Sequence, residues 1–582
     1  MIPILFVAGV VGGSLGVGIW GVRFARTTSD LYVASRAISP WWNAAAVSGE
    51  YLSAASFLGV AGLMMKDGAP ALWQPVGFTA GYLALLLFVA APLRRYGAFT
   101  ISDFAEARLE SPPLRLAAAA IVLGIGGLYL VPQLKGAGIS VQAVTGAPYW
   151  VGIVAIALVV SLSVSLGGMR GITYVQAYQF WVKLFAIAAP AAVLLAVVGL
   201  PNRSSLFGHS YPTAPAHGLV LKLHAPLAVT FPAASTYVTA AGSAHARAGA
   251  RVTLPAGTFR LAAGQVVPAA NGISPLRGET WSRPVADSSS SSPLFIYSLL
   301  IATVLGTMGL PHILVRFYTN PDGPAARRTT VNVLLLLGIF YAFPAVYGFL
   351  GRALAPGLYL TGQTDSVVLK LPELAWPGLG GRILAGLTAA GAFAAFISTS
   401  SGLLVSLAGT ISHDIWPSVR PRPRDRRGRR RSFRLAVPVA VVVPTGLALA
   451  ARGIDISVLV GWAFALAAST FCPLFLLGIW WTGLTARGAG IGLALGGFLT
   501  AVAVGLDLGV GHIGGTIGAL LSQPALVAVP AAFAAMVFGS RFAGGRRVDA
   551  DRHMLTLHAP EDLGLEAYRR LPADPQPAGS TA

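Results

Sequence analysis

Between Ala44 and Met65 the sequence AAAVSGEYLSAASFLGVAGLMM is small or apolar except at its centre, where Gly49, Glu50, Ser53 and Ser56 cluster. A second stretch, GAFAAFISTSSGLLVSLAGTISHDIW (Gly391–Trp416), carries Ala395, Ser398 and Thr399 at i, i+3 and i+4, on one helical face. Two chemistries suit this pattern. Small hydroxyl residues pack helices closely and hydrogen-bond to backbone. Hydroxyls joined by carbonyls freed from a broken helix also suit a hard cation such as sodium, with the carbonyls coming from around Gly49 and Leu52. A third stretch, GTMGLPHI (Gly306–Ile313), sets Gly306, Gly309 and Pro311 where they disrupt helical hydrogen bonding, with His312 beside them. His312 would cap freed carbonyls or hydrogen-bond a solute.

Only a membrane makes sense of these surroundings. Hydrophobic residues are 55% of the chain and charged residues 11%, with a mean hydropathy of +0.70; a soluble domain carries about 25% charged residues. Apolar windows between breakers predict about thirteen crossings of a bilayer core that needs roughly 20 residues per helix. They fall at 2–22, 41–66, 71–92, 114–143, 149–167, 174–200, 293–316, 330–352, 382–412, 435–451, 457–481, 488–506 and 521–539. The fold class is an all-α polytopic membrane protein. The lone Cys472 excludes an internal disulfide and a cysteine-based metal site. No HExxH, GxSxG or Cys/His metal spacing argues for catalysis, and no cofactor other than a coupling cation is expected.

The net charge of +20 lies mainly in connections. Nine arginines fall between Arg420 and Arg434, flanked by apolar segments. Others mark alternate connections: Arg23, Arg26 and Arg36; Arg94, Arg95, Arg108 and Arg115; Arg170; Arg316, Arg327 and Arg328; Arg487; and Arg541, Arg546 and Arg547. Arginine-rich short loops stay cytoplasmic, which predicts an N-terminus outside, a C-terminus inside and a multi-pass protein of the cell's inner (plasma) membrane. No aromatic-interleaved or folded basic module accompanies the run, which speaks against nucleic acid, and no obligate protein partner is evident.

The interrupted spans each open a set of five, 41–200 and 293–482, of opposite orientation. Broken helices at matching positions of an inverted repeat point to a transporter's midplane site. The remaining divisions are a leading span and connection (1–40), a polar segment (201–292), the arginine-rich loop (417–434), further spans (483–541) and a tail (542–582). The polar segment is read as an extracellular β-structured insert, since VTFPAASTYV (Val229–Val238) and VTLPAGTFRL (Val252–Leu261) resemble each other and are rich in β-formers. Ser288–Ser292 reads as a flexible linker, and the tail after about Phe542 as polar and partly disordered.

Five pieces carry a family resemblance: TTSDLYVASRAIS, GEYLSAASFLG, SLGGMRGITYVQ, GTMGLPHILVRFYT and STSSGLLVSLAGTISHDIW. They resemble the solute:sodium symporter family and, within it, the branch of acetate and short-monocarboxylate permeases. The resemblance implies the leucine-transporter fold, with one helix before a 5+5 inverted-repeat core and further helices after it. It implies a sodium site made by the backbone oxygens of Gly49, Leu52 and Ala395 and the hydroxyls of Ser398 and Thr399. It also implies a substrate pocket near Tyr51, Ser53, Ser56, Gln133, Gly306, Gly309 and His312. The activity implied is sodium-coupled symport of acetate or another short-chain monocarboxylate. Alternatives are another solute (proline, pantothenate or a sugar), proton coupling through Glu50, and, from a different class, a solute sensor. Glu50 is read as a neighbour of the ion site that adds negative field, or as a proton carrier. Two departures stand out: the 201–292 segment is larger than the family's usual connection, and Lys135 lies where related permeases look apolar. Lys135 either snorkels to the outer interface or pairs with a substrate carboxylate or Glu50.

Overall fold

The computed structural model describes residues 2–22, 38–98, 100–199, 208, 210–223, 225–270, 273, 276–285, 293–419, 426–510, 515–543, 550–560 and 563. Arg23, Arg26, Arg36, Ser288–Ser292, Arg546, Arg547, most of the tail after Pro560 and the 420–425 part of the arginine-rich loop lie outside them.

Apolar composition and the need to satisfy every backbone group internally drive the chain into helices. In order these are α1 (Ile2–Val22), α2 (Pro40–Tyr51), α3 (Val60–Asp67), α4 (Trp73–Phe88), α5 (Pro112–Thr145), α6 (Tyr149–Val198), α7 (Pro293–Thr307), α8 (Pro311–Phe317), α9 (Gly323–Leu354), α10 (Leu379–Thr410), α11 (Arg426–Ala450), α12 (Ile456–Trp480), α13 (Ala486–Val510), α14 (Ala525–Phe542) and α15 (Ala550–His558), with shorter turns between. Among the described residues eleven helices are long and apolar enough to cross a membrane, or up to twelve with the bent pair that α2 opens. The expected crossing at 149–167 is present as a shorter apolar helix, Tyr149–Ser165, which runs without an assigned break toward Gly171–Val198 within α6.

Both expected interruptions are present. α2 ends at Tyr51, Leu52 and Ser53 are not helical, and the chain resumes at Ala54 with a π-helical turn at Ala55–Gly59, bent by 69°. α7 gives way at Met308–Leu310 to α8, which Pro311 opens at a helix start, where the N–H it lacks would have gone unpaired. The interrupted helices pack with α4 and α9 in one group, since α7 lies on α4 and α9 lies on α2, α3 and α4. α5, α6, α10 and α11 pack mutually as a second group. α2 lies against α6 and α10, so it sits where the two groups meet.

The insert has strands β1 (Leu219–Leu223), β2 (Leu227–Thr230), β3 (Ser235–Thr239), β4 (Gly242–Ala246), β5 (Arg251–Leu254), β6 (Gly257–Leu261) and β7 (Ala269–Ala270). They form two antiparallel sheets, ordered β1-β6-β3-β4 and β5-β2-β7. The two similar sequence runs pair with each other: Val229 faces Val252, and Tyr237 faces Leu261. Their core of Val229, Phe231, Tyr237, Phe259 and Leu261 also takes in Leu360, from the connection between α9 and α10.

Within the tail, the described residues include a short helix. α15 docks through buried Leu557, His553 meets the Tyr96 hydroxyl at 2.9 Å, and His558 Nε2 lies 2.8 Å from the Ile479 carbonyl. An apolar stripe and two imidazoles give this short polar-looking helix a face to bury.

Candidate functional site

α2, α6, α8 and α10 converge on Gly49. A Cβ there would overlap the Gln176 carbonyl of α6, so glycine is what lets α2 lie against α6. Opposite, a Cβ at Gly402 of α10 would overlap the Glu50 carboxylate. These two absent methyl groups bring three backbones close enough for short polar side chains to bridge them.

The five residues expected at the ion site do meet across α2 and α10. Ser398 Oγ donates to the Gly49 carbonyl at 2.7 Å and lies 3.2 Å from the Ala395 carbonyl. Thr399 Oγ1 donates to the Glu50 carbonyl at 2.5 Å. A sixth residue enters from α6. The Lys183 ammonium donates to the Gly49 carbonyl, to the Leu52 carbonyl at 2.9 Å and to Ser398 Oγ at 2.6 Å, and Lys183 is fully buried.

Glu50 is tied elsewhere. Arg316 Nε donates to Glu50 Oε2 at 2.5 Å, and both side chains are buried. The same guanidinium donates to Thr173 Oγ1 at 2.7 Å and to Gln176 Oε1, while Gln176 Nε2 donates to the Ser398 carbonyl at 2.7 Å. Arg316 was expected as a loop charge; it is instead the partner of Glu50, because an intramembrane carboxylate needs a fixed cation. Arg108 is likewise buried, donating to the carbonyls of Gly478 and Trp481 at 2.8 and 3.3 Å. Thr173, Gln176 and Lys183 recur along one face of α6 at i, i+3 and i+10, a polar stripe in an apolar helix that was legible in the sequence.

The expected substrate residues divide. The Tyr51 hydroxyl meets Thr307 Oγ1 at 2.9 Å and the Phe78 carbonyl at 3.2 Å. Ser53 Oγ accepts from the Ala55 amide at 3.2 Å, Ser56 Oγ meets the Tyr341 hydroxyl at 2.9 Å, and Gln133 Oε1 accepts from the Ala54 amide at 2.8 Å. Gly306 and Gly309 allow close packing on α12, where a Cβ would press on the carbonyls of Phe464 and Ala467. His312 caps no carbonyl: both ring nitrogens are buried without a hydrogen-bond partner, and its ring lies 5.2 Å from that of Tyr129. The Tyr82 hydroxyl is also buried and unpartnered, with its ring 4.7 Å from Tyr51. Phe464 joins this group, 5.7 Å from Tyr129 and 6.2 Å from Tyr51. The two helix breaks thus share an aromatic-lined region with spare polar capacity.

Lys135 does not pair with Glu50. It is buried and donates to the Ile454 carbonyl, beside Asp365 and Asp455. Nearby, Lys66 and Asp455 form a salt bridge of 2.6 Å between α3 and the start of α12. Asp365 accepts from the Ile456 amide at 3.3 Å. Burial and the Asp455 charge push the Asp365 carboxyl up to about 6, against the pull of Lys135, the Ile456 amide and Lys66. A carboxyl raised in the folded state binds its proton more tightly there than when unfolded. It therefore favours folding most below its ordinary value near 3.8, and this contribution is lost as pH rises through about 6. Thermal unfolding followed across that window should show stability falling with pH, and Asp365→Asn should flatten the slope. An unchanged slope in the variant would show that another group sets it.

Elsewhere, Asp103, His413 and Asp414 lie close enough to hold a metal. Arg115 fills that centre instead, 2.9 Å from Asp103 and 2.7 Å from Asp414.

Comparison with known proteins supports the fold and the class. The uncharacterized symporter YwcA of Bacillus subtilis (strain 168) is 28% identical over 557 residues, covering 94% of this chain and 95% of that protein. A Na+-coupled sialic acid symporter, solved in a substrate-bound outward-open state, superposes with a TM-score of 0.64 at 15% identity, over 94% of this chain and 99% of that one. MHP1, a nucleobase-cation-symport-1 family transporter, gives 0.50 at 12% identity, over 91% and 99%. The model of the sodium:solute symporter family matches residues 31–239 and 249–496, which takes in most of the insert as well as the helical core. With that match over most of its length, the chain belongs to the sodium:solute symporter family.

Proposed function

We propose that this symporter carries a small carboxylate, acetate or another short-chain monocarboxylate, into the cell by alternating access. The reading also places it in the plasma membrane with the N-terminus outside and the insert exposed to the exterior. The observation that carries the substrate proposal is the buried His312 ring, left with two unpartnered nitrogens between the helix breaks. An imidazole N–H can donate to a carboxylate, and the half-helix start at Pro311 adds the positive end of a dipole. The aromatic rings of Tyr51, Tyr129 and Phe464 leave an apolar wall that suits a short alkyl chain over a sugar. Movement of the α2/α4/α7/α9 group against the α5/α6/α10/α11 group would open the region to alternate sides, with α2 as the element that both groups grip.

The test is uptake of radiolabelled acetate, propionate and pyruvate into proteoliposomes, competed by proline, pantothenate and glucose. Saturable uptake of a monocarboxylate is expected. Uptake of a competitor alone would replace the substrate assignment and leave the family unchanged. His312→Phe keeps an aromatic ring but removes the donor. It is expected to raise the half-saturating substrate concentration by about tenfold or more, since a hydrogen bond to a charged group contributes about 1.5–3 kcal/mol.

A further inference from the structure

The oxygens expected to hold sodium do not stand open to it. An ammonium has three donors and no acceptor. Those of Lys183 go to the Gly49 and Leu52 carbonyls and to Ser398 Oγ, three of the five expected ligands. Ser398 accepts from Lys183 and donates its own hydrogen bond to the Gly49 carbonyl, so the hydrogen bonds close without a gap. We infer that Lys183 is the resident cation of this position: its tethered ammonium stands where a sodium ion would sit, and sodium does not bind there.

Charge counting agrees with the geometry. The charged groups that act on Lys183 and its neighbours are Glu50 of α2 and Arg316 of α8; the facing residues of α10 are the neutral Ala395, Ser398 and Thr399. The Glu50 carboxylate is already paired with Arg316 at 2.5 Å. A Lys183 ammonium would share that carboxylate with Arg316, and a sodium ion beside it would bring a further positive charge into a region where charges are poorly screened. The ammonium also does mechanically what a bound ion would do. It ties the end of α2, at the break, to α10 through a side chain rooted in α6. Unlike a free ion it does not leave, so the tie is part of the fold, and release of α2 requires Lys183 itself to withdraw.

This inference rests on the family fold and not on the identity of the carboxylate, and its test needs no substrate. Purified full-length protein is titrated with radiolabelled sodium in a choline background, alongside Ser398→Ala, Lys183→Ala and the Lys183→Ala/Ser398→Ala pair. The wild type is expected to show no saturable sodium binding that Ser398→Ala removes. Lys183→Ala, which vacates the ammonium but keeps the oxygens, is expected to gain such binding, at least about tenfold tighter than any seen in the wild type, as removal of a like charge from one site requires. The gain should disappear in the double variant. Ser398-dependent sodium binding by the wild type would overturn the inference, and so would folded Lys183→Ala that gains none. If Lys183→Ala is not recovered folded, the wild-type and Ser398→Ala arms decide alone. Failure of carboxylate uptake would overturn the substrate reading without touching either outcome.

Discussion

Arg316→Met is expected to lower the stability of the protein by about 3–5 kcal/mol, the effect of removing one partner from a buried ion pair. The carboxylate of Glu50 would remain at zero exposure with its salt-bridge partner gone. Gln176 and Thr173 would each lose their bond to Arg316 in the same step, so α6 and α8 would loosen together. Glu50→Gln combined with Arg316→Met removes the charge on both sides and should recover a large part of the loss, because paired removal of a buried ion pair is often neutral. Thermal unfolding of the two single variants and the double, read as a cycle, measures the coupling. Simple additivity of the two losses would show that the pair does not act as a unit. Uptake by Arg316→Met should fall at least about tenfold, since α2 is then no longer held to α8.

Gly49→Ala should be a strongly damaging single-methyl change. The added carbon overlaps a backbone carbonyl of α6, which cannot rotate away as a side-chain tip can. Overpacking of this kind costs about 1–3 kcal/mol even where relaxation is possible. Here relaxation would push α2 off α6 and carry the Gly49 carbonyl away from Lys183 and Ser398. Gly12→Ala on α1 is the control, because nothing lies within 4 Å of its Cβ position. That change should stay within about 0.5 kcal/mol. Equal melting temperatures for the two variants would remove the claim that Gly49 sets the α2–α6 contact.

Local chemistry made much of this legible. Apolar runs and their glycine and proline interruptions are properties of neighbours in sequence, so the crossings, both broken helices and the β-rich insert could be read directly. Glu50 and Lys135 stood out for the same reason, as ionisable residues in apolar surroundings. Lys183 offered the same signal within FWVKLFAIAAP, and its spacing from Gln176 and Thr173 was visible as a stripe. What periodicity does not give is partnership. Glu50 and Arg316 are 266 residues apart, and Lys183 is 215 from Ser398. Arg316 sits at the end of an apolar segment, where a cytoplasmic charge and a buried counter-ion look alike. The closeness of α2 to α6, set by a missing side chain at Gly49, decides which of the two it is. The tail helix escaped notice because its single buried leucine and two histidines carry too little apolar signal to distinguish it from solvent-facing chain.

The β insert is fastened to α3, to α9 and to the connection that follows α9. Leu360, from the connection between α9 and α10, completes its core, and Trp281, which follows its strands, donates to the Met65 carbonyl on α3 at 3.0 Å. Arg352 at the end of α9 both reaches the Leu276 carbonyl at 2.8 Å and covers the Trp281 ring at 4.9 Å. Each of these anchors belongs to an element that must shift if the carrier is to open on that side. The insert is therefore a grip on the door. A binding protein that held it still, without ever reaching the buried site, would act as a brake on the whole cycle, and the strength of that brake would depend on how stiffly the two small sheets transmit force to α3 and α9.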